Sequence, residues 1–158
     1  MDATATTTAP AGGPAPLADR EVSALNRLVG TWRVSGGAEG TVTFRWLAGG
    51  HFLVQDIDLV QNDRRVIGVE MIGRLKPFGA AEAGPDILSR FYDDQGHTFD
   101  YVYDPDPDGD TLVIWAGEKG SPAYYRGTFS ADGATLSGSW TYPGGGGYDS
   151  AMTRVQAG

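Results

Sequence analysis

The chain has 158 residues, enough for one ordinary domain and too few for two well-buried ones. Hydrophobic residues make up 41% and charged residues 20%, which is typical of a globular protein rather than a disordered one. The net charge of −8 argues against a nucleic acid or an anionic membrane as partner, because phosphate recognition relies on clustered Lys and Arg. The absence of cysteine excludes disulfides, thiolate metal sites and cysteine nucleophiles.

The N-terminal part of the chain predicts a tail followed by one short helix. Residues 1–16 are mainly Ala, Thr, Gly and Pro and predict a disordered tail. They have no basic start and no apolar run, so they do not resemble a secretory signal, and we expect a cytoplasmic protein. From Leu17 to Val29, apolar residues recur at helical spacing, with Asp19 as a candidate N-cap and Gly30 as the stop.

After Gly30 the hydrophobic period changes from helical spacing to two. Residues 41–46 alternate strictly between polar and apolar, as a half-buried strand does, and similar runs follow to residue 155. Gly-, Asn- and Asp-rich turns separate them, which gives about ten short strands joined mostly by hairpins. Closure of such a meander removes its exposed edges. The sequence therefore predicts an all-β, antiparallel up-and-down barrel over residues 17–158, with an open sandwich as the second choice.

The start of the first strand and the end of the last carry a family resemblance. Gly30-Thr31-Trp32 resembles the Gly-x-Trp signature of lipocalins and other calycins, in which an Arg of the last strand packs across the Trp ring. Arg154 stands at the corresponding position near the C-terminus. The resemblance implies a calycin-like barrel whose closure residues are Gly30, Trp32 and Arg154.

A longer segment is similar to an uncharacterised lipocalin-like calycin family. Residues 125–140, Tyr-Arg-Gly-Thr-Phe through Ser-Gly-Ser-Trp, look like the closing strands of that family. The resemblance covers about residues 25–156 and implies a fold without an established activity. The family is distantly similar to haem-binding nitrobindin barrels, which depend on a proximal His in the C-terminal strands. This chain has no His after His97, so we expect no haem and no other cofactor.

Three local motifs invite a binding interpretation that their context does not favour. Asp104–Asp110 matches the first half of a calcium loop, but Trp115 occupies the position of the bidentate Glu, so an acidic hairpin turn is preferred. Gly144–Gly147 lacks the Lys and the helix of a phosphate loop, so a tight turn is preferred over a ligand loop. His51 and His97 lack partners at metal spacing, and we expect no metal site.

Aromatic and polar residues on alternating strand faces supply the candidate site. Tyr101 and Tyr103 share a face opposite Asp100 and Asp104, so the aromatic face should point inward. These assignments rest on period alone, and a β-bulge would invert them. The predicted ligand-binding residues are Arg90, Tyr101, Tyr103, Trp115, Tyr124, Arg126 and Trp140, with Glu70 as a further polar anchor.

Three functions remain open at this stage. The first is a cytosolic protein that binds a small, partly apolar ligand in the barrel cavity. The second is a cofactor-free enzyme of the isomerase, cyclase or decarboxylase type, with Glu70 as acid or base, Tyr101 as donor and Arg126 stabilising an oxyanion. The third is a filled barrel that self-associates through its rim, for instance at Tyr148, as a possible homodimer.

Overall fold

The protein is a closed, ten-stranded antiparallel barrel in a computed structural model that describes residues 20–155. Each strand pairs with the next along the chain, and the last pairs with the first. This confirms the predicted up-and-down barrel and excludes the open sandwich. The predicted tail at residues 1–16 lies outside the described residues. The strands are β1 Gly30–Gly36, β2 Glu39–Trp46, β3 Phe52–Gln61, β4 Arg64–Gly73, β5 Ile87–Asp93, β6 Thr98–Pro105, β7 Thr111–Ala116, β8 Tyr124–Phe129, β9 Thr135–Thr141 and β10 Tyr148–Arg154.

A short helical segment covers one end of the barrel. Helix α1 spans Arg20–Ala24 and tightens into a 3₁₀ turn over Leu25–Leu28, so the predicted helix is real but its second half is more tightly wound. Leu25 and Leu28 point into the barrel and are almost completely buried. The candidate N-cap Asp19 lies outside the described residues. We call the end beneath this segment the closed end.

The closed half of the barrel is filled by large apolar side chains. Every second residue of each strand points inward, so the apolar residues of the alternating pattern form the core. Burial of these side chains is the main contribution to the stability of this half. The buried cluster there includes Leu25, Leu28, Trp32, Val42, Phe44, Trp46, Leu53, Ile72, Ile87, Leu112, Phe129 and Leu136.

Arg154 stabilises the pairing of β1 with β10, which we call the seam, at the closed end of the barrel. Its guanidinium carbon lies 4.2 Å from the centroid of the Trp32 ring. The same guanidinium donates to the carbonyl oxygens of Arg27, at 2.8 Å, and Val29. Gly30 has φ +125°, and a Cβ there would lie 2.6 Å from the Arg154 Nη1. Glycine is therefore required both by the backbone and by the arginine that packs against it.

The acidic segment between β6 and β7 is a turn that holds the helical segment. The Asp106 carboxylate accepts a hydrogen bond from the backbone N–H of Asp108 at 3.0 Å, which is a local turn geometry. Arg20 pairs with Asp108, and Arg27 contacts Asp110 at 3.4 Å. Among the described residues, no group of three or more His, Cys, Asp or Glu side chains is arranged to hold a metal ion. Two arginines of the helical segment thus pair with the negative charges of this turn.

Candidate functional site

The end of the barrel opposite the helical segment is open, and we call it the mouth. Because neighbouring strands are antiparallel, the mouth is surrounded by the turns β1–β2, β3–β4, β5–β6, β7–β8 and β9–β10. A cavity of about 330 Å³ extends inward from it. A volume of this size suits a small ligand. The cavity is lined by Gln55, Ile57, Leu59, Gln61, Val66, Glu70, Phe91, Asp93, Tyr101, Tyr103, Ile114 and Trp140.

A continuous series of aromatic rings leads from the cavity to the mouth, and we call it the aromatic row. Its members in order are Phe99, Tyr101, Trp140, Tyr142 and Tyr148, and the centroids of successive rings lie 4.8, 5.8, 6.1 and 6.3 Å apart. The Trp140 and Tyr142 rings are nearly parallel, with an angle of 12° between their planes. Exposed area remains on the row, since 36% of Tyr142 and 47% of Phe99 is accessible. The row is therefore preformed and reachable from solvent.

Glycines keep the mouth uncovered beside the aromatic row. Gly144, Gly145 and Gly146 all have positive φ, which explains the run of glycines in the β9–β10 turn. Gly37, in the β1–β2 turn, packs directly on Tyr148, because a Cβ on Gly37 would lie 2.4 Å from the Tyr148 ring. Tyr148 is half-buried, and burial raises its pKa to about 12. Tyr148 thus lies at the mouth and is half-buried rather than fully exposed.

The inner wall of the cavity carries a buried carboxyl group that lacks a full set of partners. Glu70 on β4 is only 5% exposed, and its Oε2 has no hydrogen-bond partner among the described residues. Burial raises the pKa of Glu70, while the hydroxyls of Ser89 and Tyr103 oppose part of that rise. Burial and the Glu70 charge raise the pKa of Tyr103 as well, so this phenol stays neutral.

The second carboxylate of the cavity, Asp93, is satisfied by its own turn. Its Oδ1 accepts from the backbone N–H groups of Gln95 and His97 at 3.0 and 2.8 Å, and its Oδ2 lies 2.9 Å from Nδ1 of His97. Desolvation acts to raise the pKa of Asp93, but these hydrogen bonds prevail and lower it. Both carboxylate oxygens of Asp93 therefore have hydrogen-bond partners, whereas the Oε2 of Glu70 has none among the described residues.

The structure brings four of the sequence-predicted side chains together and separates the other four. Glu70, Tyr101, Tyr103 and Trp140 line the cavity. The predicted combination of Glu70, Tyr101 and Arg126 is not assembled, because Arg126 is exposed on the outer face. On β8 the inward residues are Tyr125, Gly127 and Phe129. Because Gly127 has no side chain, the sequence offered little indication of which face of this strand points inward. The side chains that lie outside are Arg90, Trp115, Tyr124 and Arg126.

Three of the four predicted residues that lie outside have a partner on the outer face. Arg90 makes a two-pronged contact with Asp100 at 2.7 and 3.1 Å on the outer wall. The Trp115 and Tyr124 rings lie 5.2 Å apart across the β7–β8 pair. A depression of about 360 Å³ lies beside Arg90 and shares Tyr101 with the lining of the barrel cavity. The predicted ligand-binding set was therefore split by the wall of the barrel.

Sequence reasoning missed several residues of the site. Gln55 and Gln61 alternate in register with Leu53, Ile57 and Leu59 on β3, so the period of two did contain the signal for them. Tyr142 and Tyr148 flank the glycine turn; Tyr142 shares the strand face of Trp140, whereas Tyr148 was considered only as a rim residue. Their position follows from barrel closure, which brings β9 and β10 beside β1.

The described part of the molecule is thus a closed antiparallel barrel with an aromatic-lined mouth and a cavity wall that combines apolar with polar side chains. A family model, the OAA-family lectin sugar binding domain, matches residues 84–154, somewhat less than half of the chain. The matched segment contains β5 to β10 and with them the whole aromatic row. No curated protein matches the chain.

This match corrects the family resemblance drawn from the sequence. The identification with lipocalin-like calycins and nitrobindins was wrong, since the matching model belongs to a lectin family. The Gly30-Trp32-Arg154 cluster has a physical reason of its own at the barrel seam, so its presence does not by itself identify a calycin. The sugar-binding match also overturns the expectation of a partly apolar ligand and the alternative of a cofactor-free enzyme. A sugar-binding match remains consistent with a small-molecule ligand.

No helix within residues 20–155 has both the length and the apolar character needed to cross a membrane.

Proposed function

We propose that this protein binds carbohydrate, and that the sugar occupies the mouth and the cavity of the barrel. The observation that carries the proposal is the aromatic row, which lies wholly within the segment matched by the lectin model. The match names the ligand class, and the geometry supplies the surface on which such a ligand could be held.

The chemistry of a sugar ring suits this surface. One face of a pyranose presents C–H groups that pack against the electron-rich face of an aromatic ring, and its edge presents hydroxyls that donate and accept hydrogen bonds. Trp140 and Tyr142 offer two nearly parallel faces. Gln55 and Gln61 lie on β3, four strands from β9 around the barrel, and offer both donors and acceptors to the hydroxyl edge. The cavity of about 330 Å³ limits the inserted part to one or two rings.

A pair of matched tryptophan variants tests the proposal. Trp140 belongs to the aromatic row, whereas Trp115 lies on the outer face against Tyr124. A glycan array on the wild-type protein identifies ligands, and calorimetry measures their affinities for Trp140→Ala and Trp115→Ala. We expect Trp140→Ala to weaken binding by about tenfold or more, because it removes a central aromatic contact, and Trp115→Ala to change it less than about twofold.

A milder variant protects this test from effects on folding. Trp140 also packs against the core, so Tyr142→Ser, which changes a more exposed ring, should weaken binding in the same direction. The proposal fails if the array shows no sugar ligand, or if binding tracks Trp115 instead of Trp140 and Tyr142.

A further inference from the structure

The cavity has an unbalanced set of charges on its wall. Its ionisable side chains are two acids, Glu70 and Asp93, and two tyrosines, Tyr101 and Tyr103. None of the described residues that line it is Lys, Arg or His. His97 reaches only Asp93, at the turn beside the mouth. An acidic ligand entering this cavity would meet uncompensated negative charge.

Within that set, Glu70 is the acidic side chain best suited to contact a ligand. Asp93 already has three donors, whereas the buried Oε2 of Glu70 has no partner among the described residues. An unpaired acceptor at 5% exposure is costly, and natural structures rarely leave one without a reason. The group that would satisfy it must bring a donor, and a cationic donor would also neutralise its charge. Tyr103 and Tyr101 remain neutral there, since burial raises the pKa of both.

We propose that the cavity receives the terminal ring of an amino sugar, with the free ammonium group of that ring on Glu70. This inference rests on the proposed carbohydrate function and narrows it to one ligand class. The aromatic row packs against the apolar face of the sugar ring at the mouth. Glu70 accepts a hydrogen bond from the ammonium group on the edge of the ring that enters the cavity. Neutral sugars bind through the row alone, and acidic sugars are excluded.

Four trisaccharides separate the contribution of the ammonium group from that of the aromatic row. The probes are oligomers of glucosamine, N-acetylglucosamine, glucose and galacturonate, measured by calorimetry slightly below neutral pH. We expect the wild-type protein to bind the glucosamine oligomer about tenfold more tightly than the glucose oligomer, since a charge-assisted hydrogen bond is added. The N-acetylated oligomer should lose that advantage, and the galacturonate oligomer should bind weakest.

Two isosteric variants distinguish Glu70 from the general acidity of the protein. Glu70→Gln and Glu39→Gln remove the same single charge, but Glu39 is exposed on β2 and does not line the cavity. We expect Glu70→Gln to reduce the ratio of glucosamine to glucose affinity from about tenfold to about one, because the charge-assisted hydrogen bond is lost. Glu39→Gln should retain the preference.

The outcomes of this experiment are distinct from failure of the proposed function. If neutral sugars bind through Trp140 but the amine gives no advantage in the wild type, the amino-sugar inference is wrong and carbohydrate binding stands. A preference that persists in Glu70→Gln reflects the overall charge of −8 and also overturns the inference. If none of the four oligomers and no glycan binds, both proposals fail. The comparison of acetylated with free amine uses the wild-type protein alone and so does not depend on the folding of a variant.

Discussion

Glu70 should make the free protein less stable at neutral pH than its neutral isostere would. Burial raises the pKa of Glu70 above its unfolded value, so the protonated form favours the folded state. The contribution of this carboxyl to stability is complete below its unfolded pKa, and it is lost as the pH rises through the folded pKa. At neutral pH the Oε2 is left buried without a partner. We therefore expect Glu70→Gln to be stabilising at neutral pH.

The magnitude follows from the charge, because the amide of the variant leaves a polar atom in the same place but carries no charge. A buried group without a full set of partners costs about 1–3 kcal/mol and more when it is charged, so we expect a gain of about 1–3 kcal/mol. For a chain of this length, each kcal/mol corresponds to a shift in Tm of roughly 2–4 °C. Urea denaturation of the wild type and Glu70→Gln, repeated from acidic to neutral pH, measures the difference directly. The gain should disappear toward the unfolded pKa of a glutamate, about 4.3.

The exposed residue Glu39 provides the control, and Glu39→Gln should change the free energy of unfolding by less than about 0.5 kcal/mol at every pH. The reasoning is refuted if Glu70→Gln destabilises the protein at neutral pH. It is refuted equally if the variant shows the same gain in acid, because an effect independent of pH cannot come from the carboxyl charge. A variant that is more stable and yet loses its preference for an amine would be the usual signature of a ligand-binding residue.

Two further predictions concern the seam at the closed end. Arg154→Leu removes the contact with Trp32 and two hydrogen bonds to carbonyl groups, and we expect it to lower the free energy of unfolding by about 2–4 kcal/mol in urea titrations. The exposed Arg126→Leu is its control, and an equal loss in both would contradict the assigned role. Gly30→Ala forces a side chain into a positive φ and against Arg154, so it should cost about 1–3 kcal/mol. At Gly84 φ is not positive, and an added Cβ would lie at an ordinary contact distance of 3.6 Å from the Leu75 carbonyl oxygen. Gly84→Ala should therefore be close to neutral, and the strain argument fails if the two midpoints coincide.

The fold was predictable because its signal is periodic. Alternation of polar and apolar residues sets the strands, and Gly, Asn and Asp set the turns, so the number of strands and their antiparallel order followed from local patterns. On β6 the alternation of Tyr101 and Tyr103 with acids gave the inward face correctly. Strand patterns of this kind are local, and ten such strands in a meander leave few alternatives to closure.

The site was harder to predict because it depends on facing and on distance across the barrel. On β8 the aromatic residues Tyr124 and Tyr125 are adjacent, and the inward Gly127 gave no help in choosing between the two faces. Arg90 was assigned to the cavity although it pairs with Asp100 across the β5–β6 hairpin on the outside. No local pattern in the sequence links Tyr142 and Tyr148 with Tyr101, which comes from β6.

The pairing of β1 with β10 also bears on the order in which the barrel assembles. Every other pair of neighbouring strands is a hairpin between consecutive segments, but the seam joins parts of the chain 127 positions apart at the Arg154–Arg27 contact. Local contacts form first and distant ones carry the larger loss of chain entropy, so the seam is expected to be the last contact made and the first to open. Amide hydrogen exchange should then be faster along β1 and β10 than along β3 and β4. A circular permutant that joined the two seam strands through a short turn would convert the slowest step of folding into the formation of one more hairpin.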